Sequence, residues 1–387
     1  MSLVLNTNYS SLLAQNSLST NGSKLSTALQ QLSSGMRINT AADDAAGYAI
    51  VQGMTSQIDG LNQAARNAND GVSLAQTAQG GLNEITNDLQ TMRDLAVQSL
   101  NATNSAQDRA DLNQQFSQLA ADINNVASTA SFNGVNLLDG SFQGATFQVG
   151  ANVGQTITVS SVASAQTSAL GTLYTAVGGT AAAMTAGQTG SLTVGGVATA
   201  TFTVTGNAAT DAKTVAAAIN QISGQDGGVV ATVNATNGIN LSSTTSQTVA
   251  VAVGAGAGAS VTLANLGMIA SYVVTSAGTT TNLNVGNVNT VDGSNLALSQ
   301  IDAALQQVAA TGAQLGAYQQ RFQAAIGGLT TASTNLQSAR SQIQDTDYAA
   351  ATSQLSKAQI LQQASTAMVA QANTVPQNIL TLLQKLP

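Results

Sequence analysis

The 387-residue chain is 43% apolar but only 7% charged, with ten Lys and Arg set against seventeen Asp and Glu for a net charge of −7. It has no Cys, His or Trp, which excludes a disulfide framework, thiolate and Ser–His nucleophiles and the usual zinc sites. The acidic balance lacks the positive stripe that nucleic-acid binding needs, and no run of 18 apolar residues is available for membrane insertion.

Charge placement divides the chain. Between Ser141 and Thr290 only Asp211, Lys213 and Asp226 are charged, so nearly all charge lies in the two ends. The ends are rich in Gln, Asn, Leu and Ala at helical spacing, and the middle is Gly, Thr, Val and Ala with strand-like alternation. Residues Met1 to Tyr9 carry no basic segment followed by a long apolar one, so a cleaved secretory signal is not expected.

In the N-terminal arm, Ala14, Leu18, Leu25, Leu29 and Leu32 fall on one helical stripe. Ser33-Ser34-Gly35 interrupts it, and Asp43-Asp44 read as helix-starting acids for a second segment. Ile58, Leu61, Ala65, Ala68, Val72 and Ala75 step by threes and fours, and Leu82, Ile85, Leu89, Met92 and Ala96 continue beyond Gly80-Gly81. A helix unbroken from Ser56 to Leu100 would be roughly 65 Å long. A third helix carries Leu112, Phe116, Leu119, Ile123 and Val126.

The middle opens on an Asn133-Gly134 turn, followed by β runs at 146–149 and 156–159. Ser191–Val194 and Thr199–Val204 read as paired strands, Thr214–Ile222 as a short helix, and Val229–Val233, Gly238–Leu241 and Thr248–Val253 as further strands. Strand–strand–helix–strand–strand makes an α+β module.

The C-terminal arm repeats the helical pattern. Leu298, Ile301, Leu305, Val308, Leu315, Phe322, Ile326 and Leu329 form one stripe. Leu355, Ala358, Leu361, Met368, Ala372 and Val375 form another, and Ile379, Leu382, Leu383 and Leu386 follow Pro376. The fold class is therefore α+β multidomain: long paired N- and C-terminal helices, as coiled coil or bundle, with an inserted β-rich domain. The stripes of the outermost arms are small and sparse. Leu18, Leu25, Leu29, Leu32, Leu355, Leu361, Met368 and Leu382 are expected to find much of their partner surface on other copies of the chain, and so to drive polymerisation.

No catalytic, cofactor or metal site is expected. Gly254-Ala255-Gly256-Ala257-Gly258 lacks the Lys-Ser/Thr that a phosphate loop needs and reads as a flexible turn. Asp345 and Asp347 lack the glycine of a calcium loop and read as helix-start acids. Asp43 and Asp44 point about 100° apart on a helix, which opposes a carboxylate dyad. Glu84 is the single glutamate.

These ends resemble one family, the bacterial flagellins. Leu5-Asn6-Thr7-Asn8 resembles the family's opening I-N-T-N, and the run QQLSSGMRINTAADDAAGYAIV from Gln30 to Val51 resembles its hallmark L-S-S-G-x-R-I-N-x-A-x-D-D-A-A-G. Asn69-Asp70-Gly71, Leu89-Gln90, Arg93 to Gln98, Phe132-Asn133-Gly134, Ser338 to Asp345 and Val375 to Leu380 extend the match. It covers about residues 1–160 and 290–385, and Thr193–Val253 looks like an insert module shared with hook-associated proteins. The family's usual ending is followed here by Gln384-Lys385-Leu386-Pro387.

The resemblance implies an extracellular, self-assembling filament subunit in three parts. Residues 1–43 plus 344–387 would form an inner-tube helical domain, 44–172 plus 290–343 an outer-tube domain with a β-hairpin, and 173–289 a surface domain. Implied partners are other copies of the chain, the export chaperone, the filament cap, the hook–filament junction proteins and host flagellin receptors. Export through the flagellar channel would account for the missing signal. The alternatives are a hook–filament junction protein and an adhesin or glycan-binding homologue.

By the same resemblance, the stretch read by plant receptors keeps Arg37, Ile38, Asn39, Asp43 and Asp44 and departs at Ala42, Tyr48 and Ala49. The animal Toll-like flagellin receptor reads a face resembling L-Q-R-V-R-E-L with a glutamate on the adjacent helix. Here Arg93 and Leu95 remain, Thr91 replaces the first Arg, and Gln115 falls where the glutamate is usual. The Ser/Thr-dense middle also suggests O-glycosylation, at residues such as Thr279, Thr280 or Thr281.

Overall fold

The computed structural model describes residues 8–383 except 227, 245, 256, 259 and 275–278, with backbone alone at 273, 274, 279, 280, 285 and 375–383. The chain forms two compact units, one from the described parts of Met1–Asn67, Gln148–Gln155 and Ala325–Pro387, the other from those of Ala68–Phe147 and Thr156–Ala324.

Helix α1 (Tyr9–Ser34) opens the first unit, and α2 (Ala45–Ser99) follows without a break. The helix is unbroken from well before Ser56 and opens at the acid pair read as starting this segment. Asp44 caps α2, its Oδ1 accepting from the Ala46 and Gly47 amides at 3.1 and 2.9 Å, which fixes the first turn eleven residues earlier. At 55 residues α2 is about 82 Å long. Helix α3 (Ala106–Thr129) begins with a reciprocal capping box between Ser105 and Asp108. In the second unit Ile85, Leu89, Met92 and Ala96 of α2, with Phe116, Ile123 and Ala127 of α3, are fully buried.

Strands β1 (Ser131–Phe132) and β2 (Val135–Asn136) pair across Asn133 and Gly134, whose φ values of 50° and 79° suit the two-residue hairpin turn expected there. Strands β3 (Ala145–Gln148) and β4 (Thr156–Val159) form a second hairpin.

The inserted module follows in chain order: β5 (Leu173–Ala176), β6 (Thr189–Gly190), β7 (Leu192–Val194), β8 (Val197–Ala198), β9 (Phe202–Thr203), α4 (Ala208–Asn220), β10 (Val230–Val233), β11 (Ile239–Ser243), β12 (Gln247–Val253), β13 (Ser271–Val274) and β14 (Thr279–Thr281). They form sheets in the orders β10-β11-β5-β14, β13-β12-β7-β8 and β6-β9. Leu192, Val194, Phe202, Val215, Ile219, Leu241, Val251 and Tyr272 are among the residues of its core.

Two expectations need correction here. Thr199–Val204 is not one strand paired with Ser191–Val194, because Gly195 and Gly196 (φ 57° and 89°) turn the chain at once into β8. Thr199 then fastens to Leu192, donating its amide to the Leu192 carbonyl (2.7 Å) and accepting the Leu192 amide at Oγ1 (3.0 Å). The following β9 pairs instead with β6. Helix α4 starts six residues before Thr214, since Asn207 caps the Ala209 and Thr210 amides. Strands β5, β13 and β14 have no counterpart in the sequence reading.

Helix α5 (Val291–Gln344) returns through both units, burying Ile301, Ala304 and Phe322 completely. Helix α6 (Tyr348–Leu383) runs on through Pro376.

Candidate functional site

In the first unit α1 and α6 run antiparallel, and the seam between them is largely polar. Asn8 Nδ2 donates to the Ala372 carbonyl (2.8 Å), Ser11 Oγ to Asn373 Oδ1 (2.8 Å) and Asn21 Nδ2 to Ser365 Oγ (2.9 Å). Among the described side chains only small residues are buried along the pair: Ser11 and Ala28 on α1, with Ala351, Ala358 and Ala372 on α6.

Consequently much of the pair's apolar surface stays outside. Leu18, Leu25, Leu32 and Leu355 are half-buried. Leu29, Leu361 and Met368 are exposed, and so are Tyr9, Leu12, Leu13 and Ile360, within a range from 38% for Leu361 to 75% for Tyr9. The Leu382 side chain lies outside those described. Sequence reasoning missed Tyr9, Leu12, Leu13 and Ile360. The doublets Leu12-Leu13 and Ile360-Leu361 are the available signal, because adjacent apolar residues widen a stripe beyond what one partner helix covers. Complete burial of a fully exposed side chain of this kind is worth about 1.5–3 kcal/mol, and less where it is already partly covered.

A groove of about 550 Å³ follows the same pair, with Ala28, Ala358 and Leu361 among its lining and Lys24 and Lys357 at its sides. Neither helix contains an Asp or Glu.

The α1–α2 connection is tied to the α5–α6 connection. Gly35 ends α1 in the left-handed region (φ 70°), and its carbonyl accepts from the Thr346 amide (2.9 Å). The Arg37 amide donates to the Gln344 carbonyl (2.6 Å), and the Arg37 guanidinium donates to the Ile343 carbonyl (2.6 Å). Asp43 Oδ2 accepts from the Asn39 amide (3.1 Å), the Thr40 amide (2.8 Å) and Thr40 Oγ1 (3.1 Å). The Thr40 and Asn39 amides hold the Asp43 carboxyl below the usual carboxylate range. Asp347 caps α6 through the Ala349 and Ala350 amides, as Asp44 caps α2, whereas Asp345 accepts from Ser341 Oγ of α5. Arg37, Asp43 and Asp44 all keep exposed surface.

In the second unit Arg93 Nε donates to Asp302 Oδ1 at 2.9 Å, with about half of each side chain in solvent. Gln115 and Thr91 are exposed, but Leu95 is only 8% exposed. Leu95 lies on the buried side of α2 with Met92 and Ala96. In the inserted module the Thr281 Oγ1 atom is buried without a partner, which opposes modification there. The side chains of Thr279 and Thr280, like Gly256 of the glycine-dense loop, lie outside the described residues.

Comparison with known proteins agrees with this arrangement of ends. Residues 5–143 match the bacterial flagellin N-terminal helical region, and residues 298–383 match the C-terminal helical region. Flagellin B of Vibrio cholerae is 40% identical over 390 residues, covering 99% of this chain and 100% of that one. Flagellin B of Vibrio anguillarum is 39% identical over 390 residues, with the same two coverages. The B-type flagellin of Pseudomonas aeruginosa is 34% identical over 490 residues, again with 99% and 100% covered. Among solved structures, FliC from Burkholderia pseudomallei is 28% identical and covers 65% of this chain and 99% of its own, with a TM-score of 0.39.

Proposed function

The chain belongs to the bacterial flagellin family and is a structural subunit of the flagellar filament, and we propose that the α1–α6 pair carries its main assembly contacts. The observation behind this reading is the polar seam. A pair joined by Asn and Ser leaves Leu12, Leu13, Leu29, Ile360, Leu361 and Met368 uncovered, and other copies of the chain supply the missing cover. Leu18, Leu25, Leu32, Leu355 and Leu382 belong to the same surface.

In this reading residues 1–43 with 344–387 form an inner tube. Residues 44–172 with 290–343 form an outer tube, and 173–289 face outward. Deleting 347–387 leaves a soluble subunit that does not polymerise, whereas deleting roughly 180–285 leaves one that grows thinner tubes. Electron microscopy of both proteins tests the division; normal filaments from the first deletion would overturn it.

The role is mechanical and not enzymatic. A chain without His or Cys lacks the commonest general base and the thiolate nucleophile. Among the described residues no helix is long and apolar enough to cross a membrane. The same proposal includes export through the flagellar channel, with chaperone, cap and junction proteins as successive partners; family membership supports it. Arg37, Asp43, Asp44, Arg93, Leu95 and Gln115 remain the receptor-facing candidates by their place in the matching motifs, and all but Leu95 are exposed.

A further inference from the structure

We propose that Met368 is an oxidation site that controls filament growth: converting its thioether to the sulfoxide in the free subunit blocks assembly, and assembly in turn hides the sulfur from oxidant. This rests on the reading of the α1–α6 pair as the assembly surface.

The chain has seven methionines and no cysteine to intercept an oxidant first. Met92, Met184 and Met268 are buried at 0%, 5% and 3% exposure. Met36 and Met54 are partly buried, and the Met36 sulfur already accepts from Gln344 Nε2 at 3.1 Å. Met368 is 62% exposed. Among the described residues it is the only methionine whose side chain is mostly open to solvent.

Its surroundings make the change consequential. Leu361 lies two helical turns earlier on the same face of α6, and it too is exposed. The bonds from Asn8 to Ala372 and from Ser11 to Asn373 hold the first turns of α1, with exposed Leu12 and Leu13, beside this part of α6. A flexible thioether suits an apolar contact patch, and a sulfoxide brings a strong acceptor dipole into it.

The chemistry balances with a hydroperoxide as oxidant. The sulfur lone pair attacks one peroxide oxygen, an S–O bond forms as the O–O bond breaks, and hydrogen peroxide leaves as water. Sulfur loses two electrons, and the two peroxide oxygens gain them. Reduction by methionine sulfoxide reductases reverses the step. Losing the apolar burial of one Met side chain raises the concentration needed for growth by about tenfold to a hundredfold.

The test treats full-length subunits and assembled filaments with dilute hydrogen peroxide and follows oxidation at each methionine by peptide mass spectrometry. The expected result is that free subunits oxidise first at Met368 and then fail to elongate seeds, while filaments oxidise there far more slowly. Reductase treatment restores growth. Met368→Leu, which conserves volume, has its own critical concentration, and peroxide does not change it, whereas Met368→Gln grows as poorly as the oxidised wild type. Subunits fully oxidised at Met368 that grow at the wild-type critical concentration would overturn the proposal, as would equal oxidation rates in subunit and filament. The 347–387 deletion separates the two readings: if it abolishes growth while the sulfoxide does not, the redox control falls and the assembly surface stands.

Discussion

Gly71 on α2 and Phe322 on α5 share one space: a Cβ at position 71 would lie 2.5 Å from Phe322 Cζ. The ring is fully buried and takes Phe147 of β3 edge-on, with centroids 5.2 Å apart and planes at 82°. One turn earlier on α5, the Tyr318 hydroxyl oxygen accepts from the Ser160 amide at 3.1 Å and shares a hydrogen bond with Ser160 Oγ at 2.8 Å. Helix α5 thus fastens the β3–β4 hairpin at Phe147 and just beyond β4 at Ser160, and the close seat of Phe322 depends on the missing side chain at 71.

Gly71→Ala is expected to destabilise the protein. Helix propensity favours Ala by about 1 kcal/mol, but overpacking against a rigid buried ring costs about 1–3 kcal/mol. The collision involves three atoms of a buried ring, Cζ, Cε1 and Cε2 of Phe322, all within 2.8 Å, so the steric cost wins. In a Phe322→Leu background the same substitution should become neutral or stabilising. Thermal unfolding of the four proteins in the double-mutant cycle measures this, and a raised melting temperature for Gly71→Ala alone would refute the packing argument.

Asp88 on α2 titrates high because it is partly desolvated and faces the charges of Glu84 and Asp122. A carboxyl whose folded pKa is raised binds more protons when folded than when unfolded, so its contribution to stability falls as pH rises through the carboxylate range. Its penalty is present at neutral pH and relieved in acid. Asp88→Asn should therefore raise the melting temperature at pH 7, with the gain shrinking in acid. High salt should trim the part due to Glu84 and Asp122. Melting curves of wild type and variant at several pH values, with and without added salt, check both statements.

Asp43 has the opposite sign. Its carboxyl is held low by the Thr40 and Asn39 amides, so it supports the α1–α2 connection above its ordinary pKa and loses that role as pH falls through the lower, folded value. Amide hydrogen exchange at Asn39 and Thr40 should quicken in acid relative to neighbouring amides, after correction for intrinsic rates. Asp43→Ala should show the faster exchange already at pH 7.

The long helices were legible because their stripes are regular and their caps are short-range. Ser105 with Asp108, Asp44 before α2 and Asp347 before α6 are each readable within four residues. The inserted module was less legible. Strand β5 lies between β11 and β14, whose residues come more than 60 and 100 positions later, and no local pattern encodes such pairing. The assembly surface was half legible. Periodicity placed Leu18, Leu25 and Leu32 on a stripe, but it did not reveal that Asn8, Ser11 and Asn21 would take the seam and leave Leu12, Leu13 and Ile360 outside. The burial of Leu95 was not legible for a related reason: a motif reports which residues recur and not which side of a 55-residue helix faces inward.

The same geometry sharpens the receptor proposal. Thr91 and Gln115 are exposed on α2 and α3, so both accept substitution without disturbing the core. Thr91 Oγ1 donates only to the Asn87 carbonyl of its own helix, at 3.0 Å. Arg93 is already drawn to Asp302 by a bond at 2.9 Å and must share its guanidinium with any receptor. Leu95 is buried and adds little contact. Relative to a flagellin with Arg and Glu at the two exposed positions, each absent charge-assisted hydrogen bond is worth about 1.5–3 kcal/mol, or about tenfold to a hundredfold in affinity. The wild-type subunit should therefore activate the animal Toll-like flagellin receptor weakly but measurably. Thr91→Arg with Gln115→Glu should recover part of the activity, and Leu95→Ala should act mainly by lowering stability. A reporter-cell titration alongside melting curves distinguishes these effects. Wild-type potency equal to that of a flagellin carrying both charges would show that the two positions do not govern recognition.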